Sequence, residues 1–225
     1  MIDKIVGSVE AALGDVADGA VVLVGGFGEA GTPNALLAAL LAQGARGLTV
    51  VTNNAGVGEG GLAALLKADR VAKLICSYPR SAGSVVFEEV FARGALELEL
   101  VPQGTLSERI RAGGAGIGGF YVRTAVGTTL AEGRETRVID GEAYLFEQPI
   151  KADLALIHAE RADRWGNLTY HAAARNFGPV MAPAARRTVA EVRALVPLGA
   201  LDPEHVMTPG IFVDWVWRNP KEPTP

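Results

Sequence analysis

From Val21 to Val101 short apolar strand patterns alternate with leucine-rich helical ones at the spacing of βαβ units. The strand patterns are "VVLV" (21–24), "LTVVT" (48–52), "KLICS" (73–77) and "LELELV" (96–101). Between them lie a helical face of Leu36, Leu37, Leu40 and Leu41 ending near Gly44, then "GLAALLKA" and "SVVFEEVFA". This order leaves one economical architecture, an α/β fold with an open, mostly parallel sheet flanked by helices. Thr32 is the expected N-cap of the first crossover helix, with Pro33 at its first helical position.

Residues 1–19 read as a helix with Ile5, Val6, Val9, Ala12 and Leu13 on one side, closed by Gly14. Residues 102–119 read as a glycine-rich loop, and "TRVIDGEAYLFE" as a hairpin turning at Asp140-Gly141. Further strands are expected at "LALIHAE" (154–160), "VRALV" (192–196) and "GIFVDWV" (210–216). No internal repeat or change of composition marks a second domain, so residues 1–225 form one unit with a loose tail from about 219.

The loop after the first strand, "GGFGEAG", satisfies G-x-G-x-x-G through Gly26, Gly28 and Gly31. A nicotinamide site also needs an acid at the end of the second strand to hold the ribose hydroxyls. Asn53 and Asn54 stand there instead, and Thr32-Pro33 delay the helix beyond the third glycine. What survives is the physical content of the loop: glycines let a ligand approach the backbone, and amides at a helix start favour anions. Glu29 puts a negative charge in the loop, which suits a longer ligand or a protein surface better than a bare phosphate. A tight strand-to-helix turn without ligand is the plain alternative.

Composition removes several classes. With 49% apolar residues among 225 and a mean hydropathy of +0.22, the chain has enough apolar material for a sizeable core. Its net charge of −4 and scattered basic residues argue against nucleic-acid binding. The want of a long apolar run or a leader points away from the membrane and towards the cytoplasm. Cys76 is the single cysteine, which rules out a disulfide framework or a CxxC metal site, and "KLICSYP" suits a small buried hydrophobe. His158, His171 and His205 are too far apart for a helical metal pair and read as packing or surface residues; no metal is expected.

Seven segments, taken together and in order, resemble the alpha subunit of the family I, 3-oxoacid CoA-transferases. They are "GGFGEAGTP" (25–33), "VVTNNAG" (50–56), "PQGTLSERIRAGGAGI" (102–117), "AVGT" (125–128), "ADRWGNLTY" (162–170), "ARNFGPVMA" (174–182) and "LGALDPEHVMTPGIFVD" (198–214). The resemblance implies a CoA-transferase fold, CoA and acyl-CoA as substrates with no permanently bound cofactor, and a heteromer with a beta subunit. It further implies ping-pong chemistry in which a glutamate forms an acyl anhydride and then a glutamyl-CoA thioester. That nucleophile belongs to a Glu-Asn-Gly type motif of the beta subunit, whereas this chain contains no Glu-Asn pair.

By the same resemblance Gly25, Gly26, Phe27, Gly28, Glu29, Ala30 and Gly31 form the CoA-binding stretch. Gln103 matches a glutamine near the reacting acyl group; its amide would donate to a carboxylate or oxyanion without adding charge, or else anchor the loop. Glu59 in "GVGEGG" imitates a nucleophile but reads as a loop surface residue. Arg109 and Arg111 are candidates for CoA phosphates, although pairing with Glu108 or contact with a partner fits them better. Where relatives carry "GIPAFYTPT" this chain has "GIGGFYVRT" (116–124), which places Arg123 where a second substrate carboxylate would need a cation, unless it faces solvent. "DRWGNLTY" and "DPEHVMTPGIFVD" look closest to aromatic-degradation homologues, which favours succinyl-CoA as donor and 3-oxoadipate as acceptor. The alternatives are an acetoacetate transferase and a nonenzymatic CoA or nucleotide sensor.

Overall fold

A computed structural model describes residues 2–80 and 83–224. A short helix α1 (Val9–Leu13) precedes strand β1 (Val21–Val24), helix α2 (Asn34–Gln43), β2 (Leu48–Thr52), α3 (Gly61–Lys67), β3 (Val71–Cys76), α4 (Val85–Ala92) and β4 (Glu97–Leu100). After α5 (Gln103–Gly114) come the strands β5 (Phe120–Val122), β6 (Thr136–Ile139) and β7 (Glu142–Glu147). The chain then runs through β8 (Ala152–Ala162), β9 (Leu168–Thr169), α6 (Gly178–Met181), β10 (Ala185–Leu195) and β11 (Trp215–Arg218).

The main sheet has the order β11-β10-β8-β1-β2-β3-β4 with these strands parallel, and β9 adds antiparallel to β8. Strands β5, β7 and β6 make a separate antiparallel sheet. From β1 the chain first builds outward to β4 and then returns to lay β8 on the other side of β1. The order therefore reverses at the β1/β8 boundary, the place where open α/β sheets bind ligands beyond their carboxyl ends.

Alternation along each strand splits the core in two. Val22, Val24, Leu154 and Leu156 pack towards α1–α4, against Leu36, Leu40, Leu65 and Phe87. Leu23, Ala155 and Ile157 pack towards α5 and α6, against Leu106, Ile110 and Met181. Both faces are covered, which is why these strands read as continuous apolar runs.

Several local expectations are corrected by tertiary contacts. The helix expected over 1–19 shrinks to one turn, started by Ser8, whose side chain accepts from the amide of Ala11. Residues before it pair with the sheet edge instead: Val6 donates to Val216 and Val216 to Lys4, so edge pairing displaces helix there. The glycine-rich "loop" at 102–119 holds the 12-residue helix α5. Its glycines serve contact rather than flexibility, since a Cβ at Gly113 would lie 1.9 Å from the carbonyl oxygen of Ile150. In "GIFVDWV", Gly210–Phe212 form a 3₁₀ turn and only then does β11 begin. The tail beyond 219 is tied rather than loose: Asn219 is buried and Glu222 pairs with His158 at 3.0 Å. The hairpin stands as expected, with positive φ at both Asp140 and Gly141.

The start of α2 carries a further correction. Thr32 does not cap it; its hydroxyl donates to the carbonyl of Gly28. The free amides of Ala35 and Leu36 instead donate to Oε2 of Glu191, at 3.0 and 3.1 Å, from β10. Asn219 donates to the other oxygen at 2.8 Å. Glu191 is fully buried, and burial raises its pKa even though the Asn219 and Leu36 hydrogen bonds work the other way. A carboxylate at a helix start satisfies both the orphan amides and the helix dipole.

Glu191→Gln keeps an acceptor for α2 but turns an NH₂ towards that of Asn219. We expect a loss of about 1–3 kcal/mol in chemical denaturation. Because the folded-state pKa is raised, Glu191 contributes most below the ordinary glutamate range, and that contribution declines as pH rises through the raised value. The stability gap between parent and variant should narrow with rising pH; a gap that widens would refute this reading.

Candidate active site

The carboxyl ends of β1, β2, β3 and β4 bring four loops to one edge of the sheet. The loop after β1 is a small closed turn in which Phe27 and Ala30 exchange backbone hydrogen bonds at 3.0 and 3.1 Å. Gly25 continues the pairing with β8 by donating to Leu156 at 2.9 Å. The motif glycines differ in what they accommodate. A Cβ at Gly31 would lie 2.3 Å from the carbonyl oxygen of Ala174, and one at Gly26 would lie 2.6 Å from the Thr32 hydroxyl. These two make room for the protein itself. Only Gly28 of the three has open space around its missing Cβ, with φ at +61°.

The second loop supplies Asn53 and Asn54, both buried. Asn54 accepts from the amide of Gly56 at 2.9 Å. Oδ1 of Asn53 accepts from the Ser77 hydroxyl at 2.6 Å and from Nε2 of Gln103 at 2.8 Å. The ends of β2, β3 and β4 are thus joined through one side chain, and Gln103 is aimed by it. Nε2 of Gln103 carries a second N–H for a ligand. A cavity of about 320 Å³ lies between the first two loops, lined among others by Gly26, Gly28, Glu29, Asn54, Gly56 and the start of α3.

The glycine loop and Asn54 line the cavity; Asn53 and Gln103 do not line it, and Gln103 is tied to this edge through Asn53. Arg123 is not among the cavity's lining residues: it follows β5, is largely exposed, and pairs with Glu142 at 2.5 Å. Glu59 is an exposed partner of Lys67 at 3.0 Å, the surface role expected of it. Arg111 pairs with Glu108 at 2.9 Å. Arg109 is nearly buried between Glu99, at 2.7 Å, and the buried Glu147, at 3.7 Å, and it donates to the carbonyl of Gln148 at 2.8 Å. Both arginines are therefore occupied within the chain.

Cys76 is fully buried, and burial pushes its thiol up to about 12, the opposite of an activated thiolate. No group of three or more metal-ligating side chains occurs among the described residues, and none of the helices there is long and apolar enough to cross a membrane. The edge is thus an amide-rich surface that carries Glu29 as its charged side chain at the cavity. Its amides suit an anion or a polarised carbonyl, with Glu29 the one carboxylate among the residues that line the cavity.

Sequence reasoning noticed Asn53 only as a missing acid. Its role as the joint between three strand ends depends on β2, β3 and β4 being neighbours, a signal available once the parallel order is drawn. Asn176, which contacts the first loop from 150 residues away, lies in the resembling segment "ARNFGPVMA", but nothing in that segment points to the contact.

The coenzyme A transferase family matches residues 6–219. The chain is 56% identical over 216 residues to the A-subunit of 3-oxoadipate CoA-transferase from Pseudomonas putida, covering 96% of this chain and 94% of that one. It is 46% identical over 213 residues to the A-subunit of the probable succinyl-CoA:3-ketoacid coenzyme A transferase from Bacillus subtilis, covering 95% and 89%. Among solved structures, the acyl-CoA transferase (YdiF) apoenzyme of Escherichia coli O157:H7 shares its fold with a TM-score of 0.86 at 22% identity, over 98% of this chain and 48% of that one. Glutaconate coenzyme A-transferase of Acidaminococcus fermentans shares it with a TM-score of 0.85 at 21% identity, over 96% and 76%. This chain spans about half the length of the E. coli chain it matches. The chain belongs to the coenzyme A transferase family and is an enzyme chain that transfers CoA.

Proposed function

We propose that this chain is the alpha subunit of a heteromeric transferase that moves CoA from succinyl-CoA to a 3-oxoacid, with 3-oxoadipate favoured. The observation that carries this is the edge itself, a cavity lined by the glycine loop and Asn54, with Gln103 oriented by Asn53 on the neighbouring strand ends. The P. putida relative named for 3-oxoadipate, 56% identical, supports the acceptor. The E. coli chain of the same fold is about twice as long, which leaves room for a second half of similar size.

In this reading the partner's glutamate attacks the thioester carbonyl of succinyl-CoA, forming an acyl anhydride and releasing CoA thiolate. The thiolate then attacks the glutamyl carbonyl, forms the glutamyl-CoA thioester and expels succinate. The 3-oxoacid carboxylate repeats the sequence in reverse and leaves as its CoA thioester. Residues Gly25 to Gly31 line the path of CoA, with Phe27, half-exposed, and Glu29 at the turn. Gln103 donates its second N–H to the oxyanion that develops at the carbonyl, and its neutrality leaves the anionic nucleophile unquenched. Asn53 and Asn54, buried and hydrogen-bonded, offer no carboxylate to a nicotinamide ribose.

Arg123 is the cation assigned to the far carboxylate of a dicarboxylic acceptor. Its exposed ion pair with Glu142 is of the kind that contributes little and is readily exchanged for a bidentate contact with substrate.

The direct test is a CoA-exchange panel on the complex obtained by coexpression with a candidate beta subunit. The complex should turn over succinyl-CoA with 3-oxoacids while the isolated chain does not; turnover by the chain alone would refute the half-site reading. In the complex, Gln103→Ala should lower kcat roughly tenfold to a thousandfold with a smaller change in KM. Near-parental rates in a folded variant would make Gln103 a loop anchor.

Arg123→Leu should reduce kcat/KM for 3-oxoadipate about thirtyfold, or about 2 kcal/mol, and leave acetoacetate little changed. Equal losses on both acids would remove Arg123 from substrate selection and favour the acetoacetate enzyme.

A further inference from the structure

We infer that Asn176 is a positioning residue for CoA, a side-chain clasp that sets the shape of the 25–31 loop from the far end of the chain. Oδ1 of Asn176 accepts from the amide of Gly26 at 3.0 Å and from that of Phe177 at 2.7 Å. Nδ2 donates to the carbonyl of Ala30 at 3.0 Å and to that of Ala174 at 2.9 Å, with a longer contact to Ala173 at 3.3 Å. One amide group therefore holds both ends of the turn whose tip is Gly28-Glu29. The local bonds are those between Phe27 and Ala30 and those from Thr32 to the Glu29 and Gly28 carbonyls, and none of them takes the Gly26 amide.

The backbone shows what the clasp requires. Asn176 lies at φ +23° and ψ −116°, a conformation that side-chain-bearing residues rarely adopt, and Ala172 in the same segment also has positive φ. Glycine would sit there with less strain, yet an asparagine does, and its side chain makes the contacts just named. The opposing surface is shaped to match: the missing Cβ of Gly31 is what admits the Ala174 carbonyl and Nδ2 of Asn176, which would otherwise lie 2.3 and 2.6 Å from it. Strain on one side and an obligatory glycine on the other thus converge on a single contact. Its geometric product is the placement of Gly26 and the open Gly28 tip against the cavity.

This rests on the proposed CoA reading of the loop, so the experiment separates the two. In the alpha–beta complex, Asn176→Gly relieves the backbone and deletes the clasp, while Gly28→Asp places a carboxylate in open space at the loop tip, at a φ that Asp tolerates. Asn176→Gly should melt at or near the parental temperature. Its KM for succinyl-CoA should rise roughly tenfold with a smaller fall in kcat, and hydrogen exchange at residues 25–31 should accelerate. Gly28→Asp should raise the same KM without faster exchange. A raised KM in Gly28→Asp alone would overturn the role of Asn176 and keep the loop. Unchanged KM in both would overturn both readings.

Asn176→Asp guards against a folding defect in the glycine variant. Its acceptor is retained, but the carboxylate faces the carbonyls of Ala30, Ala173 and Ala174. Protonation restores a donor, so the KM ratio of variant to parent should fall as pH is lowered. A ratio of one, or one independent of pH, would contradict positioning by the Nδ2 donor.

Discussion

A buried carboxylate holds the start of α2, and much of the molecule is arranged around that fact. Glu191 projects from β10, two strands from β1, and takes the two amides that Pro33 and Thr32 leave uncapped. An ion in that position is costly unless its lone pairs are filled, and Asn219 fills the remaining oxygen from the last residues of the chain. The helix start so fixed lies three residues beyond the glycine loop. The order of the sheet, the anchoring of the chain end and the entry to the candidate site are therefore coupled through one side chain.

The edge of the sheet extends the same economy to chemistry. Asn53 joins the ends of β2, β3 and β4, and Asn176 joins the loop after β1 to the segment before α6. Neutral amides make this polar surface rigid without adding net charge. In contrast, the charged side chains Glu99, Arg109, Glu147 and Arg134 neutralise one another between α5 and the small sheet.

What could be read from the residues alone followed the range of the responsible forces. The β1–α4 alternation and the turn at Asp140-Gly141 are written in local periodicity and φ preference, and both stand. Helix α5 was hidden because Gly113 and Gly114, which look like loop residues, are set by the close approach of Ile150 and Pro183. Edge pairing at Val216 overrode the helical pattern around Ile5. The glycine loop and Gln103 were visible as motif and resemblance, but the contacts that orient them come from Asn53, Asn176 and Glu191. Long-range partners of this kind leave no periodic trace.

In the proposed function this chain supplies half of a site and the covalent intermediate forms on its partner. Intact-mass analysis of both chains, after the complex is incubated with succinyl-CoA and rapidly quenched, tests it directly. A CoA thioester is expected on a glutamate of the partner, with an unmodified mass for this chain. A CoA adduct on this chain, at Glu29 or Glu59, would contradict it.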